Sequence, residues 1–283
     1  MESPISRRAF LSAFGGAVFL TSGAIATHAS GHLRDVDSVD VTSKKFIGHR
    51  GAAGLVPQNT EQGIHVASEY GMDGVELDVQ QTGDGELVLF HDPIYRVATD
   101  NGYGRVSEIS LETAKTFHKH GHHVISLAEG IETVIEHDLE LYLEIKSNGI
   151  LSDCYKLIEE HNWLENTYFI SLDKNKLLPQ NSDESTFLGK RAEISTPPLD
   201  GVVTSALEAG FDGAGAHYAP YAQKQLIEKI NKNGLDSIIW NLYDTEASLR
   251  HILKTDANVI VTNRPDMIAE FRNNENVNLD LVL

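Results

Sequence analysis

Three short stretches decide how this chain folds: Lys45-Phe46-Ile47-Gly48-His49-Arg50-Gly51, Gly74-Val75-Glu76-Leu77-Asp78-Val79 and Glu86-Leu87-Val88-Leu89-Phe90-His91-Asp92. Each is a brief apolar strand that ends in polar residues. Between the first two, Pro57-Gln58-Asn59-Thr60 leads into a helical run, Glu61 to Tyr70. Side chains alternate along a strand, so Glu76 and Asp78 share one side while Val75, Leu77 and Val79 take the other. Two carboxylates on one side of an apolar strand repel each other unless something compensates. A hard divalent cation does so, and oxygen ligands suit Ca2+ or Mg2+, whereas Zn2+ recruits His or Cys. Arg50 offers a planar fork of donors that matches phosphate oxygens. His49 and His91, each at a strand end, can exchange protons with an ester oxygen near neutral pH. Gly51 and the small residues after it let a ligand approach the backbone. The combination points to a metal-dependent site for a phosphate ester.

Outward from this core, the chain has 283 residues, enough for one large barrel or two ordinary domains, and 41% hydrophobic residues supply a sizeable interior. Asp and Glu number 41 against 23 Lys and Arg, a formal net charge of −18. Such a surface disfavours nucleic acid and anionic lipid as partners. It also suits a protein kept soluble in high salt, where a dense carboxylate surface stays hydrated and its self-repulsion is screened. At the N-terminus, Ser6-Arg7-Arg8-Ala9-Phe10-Leu11 precedes an apolar run to Ala26, with small residues at Ala24-Ile25-Ala26 and Thr27-His28-Ala29. This resembles a twin-arginine export signal with signal-peptidase sites, so the expected partner is the twin-arginine machinery. The expected location is outside the cytoplasm, with no membrane span left after processing. Cys154 is the single cysteine, so no intramolecular disulfide forms; it reads as a packed thiol on an amphipathic helix, Ile150 to His161.

Beyond Asp92 the pattern loosens. Asn101-Gly102-Tyr103-Gly104 is turn-rich, and Leu111 to His120 reads as a short helix. His118, His120, His122 and His123 match no standard metal spacing and read as a solvated loop. Regular alternation resumes with a helix over Leu127–His137 and a strand over Leu139–Ile145, in which Glu140, Tyr142, Glu144 and Lys146 share one side. Strands follow at Tyr168–Ser171, Thr186–Leu188, Asp212–Ala216, Asp236–Asn241 and Val259–Thr262. Helices are expected at Leu199–Ala209, Ala222–Asn233, Thr245–Thr255 and Pro265–Arg272. Eight strands with helical crossovers give an α/β fold, a (β/α)8 TIM barrel with a small insertion after the second barrel strand. The expected divisions are an export signal over 1–29, a linker over 30–43, the barrel over 44–273 and a tail over 274–283.

His49-Arg50-Gly51, Pro57-Gln58-Asn59-Thr60, Glu76-Leu77-Asp78, His91-Asp92 and Leu143-Glu144-Ile145-Lys146 together resemble the glycerophosphodiester phosphodiesterase family. The resemblance implies hydrolysis of a small phosphodiester to glycerol 3-phosphate and an alcohol. It implies Glu76, Asp78 and Glu144 as ligands of one Ca2+ or Mg2+, His49 and His91 as the acid–base pair, and Arg50 and Lys146 as phosphate contacts. Trp240 corresponds to a tryptophan at the site wall, and the resemblance further implies that a substrate hydroxyl attacks first, through a cyclic phosphate. Two positions depart from the family pattern. Gln58 stands where glutamate is usual, keeping size but losing charge, and Asn263 replaces an aspartate before the last helix, where it can serve as an N-cap. Two other readings share parts of the pattern: a phospholipase D-like enzyme acting on lysophospholipid or sphingolipid head groups, and a secreted barrel that only binds phosphoesters.

Overall fold

A computed structural model describes residues 43–95, 99–178, 190–195, 201–217, 223–241 and 245–273. All lie in the second of two compact units, Asp37–Leu283. The expected export signal, most of the linker, the strand at Thr186–Leu188 and the tail fall outside the described residues.

In chain order, β1 (Lys45–Gly48) is followed by α1 (Glu61–Glu69), β2 (Gly74–Gln81) and β3 (Leu87–Leu89). The insertion carries α2 (Leu111–Lys115), β4 (His118–Lys119) and β5 (His122–His123). Then come α3 (Leu127–Glu136), β6 (Glu140–Ile145), α4 (Leu151–Glu160), β7 (Thr167–Ser171) and β8 (Lys190–Ser195). The last units are α5 (Val202–Glu208), β9 (Gly213–His217), α6 (Gln223–Lys232), β10 (Asp236–Asn241), α7 (Glu246–Leu253), β11 (Val259–Thr262) and α8 (Pro265–Asn273). Eight parallel strands run in the order β1-β11-β10-β9-β8-β7-β6-β2, and pairing of β1 with β2 closes the barrel. Strand β3 lies antiparallel on β2 and hangs outside the ring.

Local chemistry accounts for the elements. Thr60 caps α1 by accepting from the Gly63 amide, and Ser126 with Glu129 forms a reciprocal capping box on α3. In β6, Leu141, Leu143 and Ile145 join the layer shared with Ile131 and Cys154 of the helices. Tyr142 turns the other way, into a cluster built only of strand residues that includes Tyr168, Ile170, Ile194, Ile238, Trp240 and Val261. That cluster is the barrel interior. Each fully buried Leu or Ile in either layer contributes about 2 kcal/mol of transfer free energy. Cys154 is buried as expected, and burial pushes its thiol up.

Two expectations need correction. The helix expected over Leu111–His120 stops at Lys115, and β4 and β5 form a small antiparallel hairpin instead. Its turn residues, His120 (φ 49°) and Gly121 (φ 83°), are both left-handed, the conformation that reverses a strand in two residues. The barrel's fifth strand is Lys190–Ser195, a span whose Lys190, Arg191 and Glu193 make it read as loop. No described helix is long and apolar enough to cross a membrane.

Candidate active site

The site lies toward the C-terminal ends of the barrel strands, with its carboxylates on β2 and β6 themselves and His49, Arg50 and His91 on the segments that follow β1 and β3. Strand β1 ends at Gly48, where a Cβ would come within 2.0 Å of the Gly51 carbonyl oxygen. The chain therefore folds tightly back on itself immediately after β1. Arg50 (φ 51°) and Gly51 (φ 83°) both take left-handed backbone, an unusual conformation for arginine. Contacts to β2 hold it: Arg50 N donates to Glu76 Oε2 at 2.9 Å, and Gly51 N donates to the Glu76 carbonyl at 3.1 Å.

Glu76 and Asp78 are fully buried, and Glu144 of the neighbouring strand is nearly so. Register pairs Asp78 with Glu144 across β2 and β6. One carboxylate oxygen from each of the three lies within 4.8 Å of the others. Asp78 is well supported. Asn59 Nδ2 donates to its Oδ2 at 2.8 Å, Arg50 Nε lies 3.4 Å from Oδ2, and Lys146 Nζ lies 3.4 Å from Oδ1. Burial pushes the Asp78 carboxyl up, but Lys146 and Arg50 more than offset it, and the group lies below its ordinary range. Glu76 is less well compensated: burial and the negative charges of Asp78 and Glu144 raise it well above the usual carboxylate range, against the Arg50 charge and amide. Glu144 is raised to about 7 by burial and by Asp78, despite Lys146 donating to it at 2.9 Å.

Two oxygens, Glu76 Oε1 and Asp78 Oδ1, are buried without a hydrogen bond, Asp78 Oδ1 having only the Lys146 ammonium at 3.4 Å. An unmet carboxylate oxygen inside a protein costs several kcal/mol. Two that converge with Glu144 in an all-oxygen set fit a hard divalent cation. The residues present therefore suit a Ca2+ or Mg2+ site.

The two histidines differ. His49 Nδ1 meets Asn263 Oδ1 at 2.6 Å, which leaves Nε2 as the lone-pair nitrogen, 3.7 Å from Glu76 Oε2. Burial and Arg50 hold His49 down at about 3. His91 is partly exposed and its Nδ1 lies 3.0 Å from Asp92 Oδ1. Burial depresses it; Asp78 and Asp92 pull it up, while Lys146 and Arg50 push it down, leaving it below the ordinary histidine value.

The fold thus brings together His49, Arg50, Glu76, Asp78, His91, Glu144 and Lys146. Trp240 sits in the barrel interior, 2% exposed, with its ring 6.2 Å from that of His217. Asn263, read from sequence as a helix cap, reaches into the site through His49. Asn59 carries Asp78 on both sides, since the Asp78 amide also donates to its Oδ1 at 3.0 Å. Gln58 accepts from the Arg50 guanidinium. His217 ends β9 on its inward side, and in the sequence only its parity with Gly213 and Gly215 signals it. Among the described residues the histidines of the insertion hairpin enter no potential metal group.

A sequence model described as the glycerophosphoryl diester phosphodiesterase family matches residues 49–267. A glycerophosphodiester phosphodiesterase of Caldanaerobacter subterraneus subsp. tengcongensis is 29% identical over 78% of this chain and 95% of its own length. One from Bacillus subtilis is 26% identical over 78% and 84%. Among solved structures, a glycerophosphodiester phosphodiesterase from Agrobacterium tumefaciens superposes with a TM-score of 0.70 at 24% identity, covering 80% of this chain and 99% of that one. An Oleispira antarctica phosphodiesterase solved with its product, sn-glycerol 3-phosphate, gives 0.71 at 21% identity, over 81% and 96%. At these identities the two structures bear on the fold alone.

Proposed function

The chain belongs to the glycerophosphoryl diester phosphodiesterase family, and from that premise we propose that its buried carboxylates, cations and histidines act together to hydrolyse glycerophosphodiesters to glycerol 3-phosphate and an alcohol. The observation that carries the assignment is the pair of unmet oxygens on Glu76 and Asp78 beside Arg50 and Lys146. Such a cluster is built for a cation and an anion together.

Glu76, Asp78 and Glu144 would hold one Ca2+ or Mg2+. When bound, that ion supplies Lewis-acid polarisation of the phosphoryl group and neutralises developing charge. Arg50 and Lys146 bind the phosphate oxygens and orient the ester for attack. His49, with its Nδ1 proton directed at Asn263, presents a neutral Nε2 and takes the proton from the attacking hydroxyl. His91, with Asp92 to stabilise its imidazolium, gives a proton to the departing alkoxide oxygen, leaving a cyclic phosphate. Water then opens the ring, its proton passing to His91 while His49 returns its proton to the glycerol oxygen. The complete set of groups argues for catalysis over a barrel that only binds, and a head-group phospholipase reading has no separate observation in its favour.

The test is release of glycerol 3-phosphate from glycerophosphocholine and glycerophosphoethanolamine by chain freed of metal, then resupplied with Ca2+ or Mg2+. Release that needs the cation is expected. Protons compete for Glu144 and Glu76, both raised above the ordinary range. The half-activating metal concentration should therefore rise as pH falls through about 7, by about tenfold per pH unit for each proton displaced. Release that persists without metal, or a metal requirement flat from pH 8 to 6, would sink the carboxylate assignment.

Residues 1–29 carry the rest of the reading: an address for the twin-arginine machinery that places the enzyme outside the cytoplasm. The support is Arg7-Arg8 before an apolar run short for a span. Replacing both arginines by lysine should leave full-length chain inside the cells that make it; unchanged export, read by fractionation, would refute this address.

A further inference from the structure

Strand β9 stands opposite β2 in the barrel, three strands intervening on either side. Its Ala214 and Ala216 face the helices, so Gly213, Gly215 and His217 face inward. A Cβ on Gly215 would fall 2.0 Å from the Ile238 carbonyl oxygen, so below His217 this wall is bare backbone. His217 is therefore the first side chain the strand presents, and it does so at the catalytic end. Its register partner on β10 is Trp240, and the two rings are tilted by 43° with centroids 6.2 Å apart.

We propose that His217 binds the hydroxyl-bearing glycerol arm of the substrate, across the barrel mouth from the three carboxylates and beside the Trp240 ring. This rests on the hydrolase reading above. A phosphodiester clamped by Arg50 and Lys146 near β2 and β6 can send an ester arm toward the far wall, where His217 is the polar side chain that β9 presents among the described residues. Burial together with Lys146, Arg50 and His91 lowers the affinity of His217 for a proton. A neutral imidazole offers one donor and one acceptor, the complement of an alcohol O–H. A cation at this position would bind phosphate instead and discriminate little between arms. An apolar residue would strip water from the hydroxyl and give nothing back.

The test compares glycerol 3-phosphate with inorganic phosphate by calorimetric titration of the full chain supplied with Ca2+ or Mg2+. His217→Ala should weaken glycerol 3-phosphate about tenfold, the value of one good hydrogen bond, and leave phosphate within about twofold. His217→Gln keeps a donor and an acceptor and should recover most of the loss, with an unfolding temperature near wild type. An equal loss for both ligands would make His217 part of the phosphate clamp and overturn the assignment. Unchanged glycerol 3-phosphate binding, or a Gln variant as weak as Ala, would overturn it too. Failure of the unsubstituted protein to bind either ligand would strike the hydrolase reading itself, and is distinguishable for that reason.

Discussion

Glu76→Gln should lower kcat/KM by about a thousandfold or more, the scale of about 4 kcal/mol, and at the same time make the metal-free protein more stable above neutral pH. The two effects share one cause. Glu76 is buried against Asp78 and Glu144, which raises its proton affinity well above the ordinary carboxylate value of 4.5. The native state then binds more protons than the unfolded chain, so stability is complete below about 4.5 and declines as pH rises toward the native value. Gln keeps the shape, still accepts from the Arg50 amide, and escapes that decline. A gain on the order of 2 kcal/mol at pH 8 corresponds to about 4–8 °C in unfolding temperature for a barrel of this size. Added Ca2+ or Mg2+ should raise the melting temperature of the parent and leave that of the variant nearly unmoved, since binding to the native state alone stabilises it. A variant that melts lower without metal, or that gains as much from metal as the parent, would show that Glu76 is not a ligand.

His91→Ala should cost between about 10² and 10⁴ in kcat on glycerophosphocholine, the usual contribution of a positioned proton donor. The loss should depend on the leaving group. An alkoxide such as that of choline needs a proton as the ester bond breaks, whereas p-nitrophenolate does not. Glycerophospho-p-nitrophenol should therefore restore most of the activity of His91→Ala but not of His49→Ala, whose lost function is proton removal from the nucleophile. The asymmetry follows from the partners of the two rings: Asp92 on His91 favours the charged form, and Asn263 on His49 fixes a neutral one. If the activated ester rescued His49→Ala instead, the roles would be exchanged. Equal deficits on both esters would mean that neither ring protonates the leaving group.

The barrel was legible in the sequence wherever a strand buried one side in the helix layer. The Leu141-Leu143-Ile145 alternation and the Val75-Leu77-Val79 alternation each gave a strand and its two faces. Strand β8 was not legible because Lys190 and Arg191 spend their stems and charges on aromatic faces, at Tyr168 and Phe211; no short-range pattern announces that. The hairpin of β4 and β5 has two residues per strand, too few for any period to register. The positions of His49 and His91 were legible because each stands at or just beyond the end of an apolar strand. Asn263 was not, since its partner His49 lies 214 residues away in sequence and becomes a neighbour only when β11 closes against β1. His217 was hidden for a similar reason: its meaning comes from standing across the ring from β2, which sequence order does not state.

The pairing of Asp78 with Glu144 has an evolutionary consequence. These carboxylates sit on strands that touch in space, yet the chain between them makes the whole excursion through β3, the hairpin and α3. Strand pairing sets their separation, and the length or composition of the excursion beyond His91 does not. Loops tolerate insertion and replacement far better than paired strands do. A lineage can therefore lengthen or trim the exposed turns of this excursion, such as residues 101–104, while the hydrolytic centre is inherited unchanged. Val106, Ala114, Phe117 and Val124 tie the excursion to Val88 and Phe90 as a separate small core.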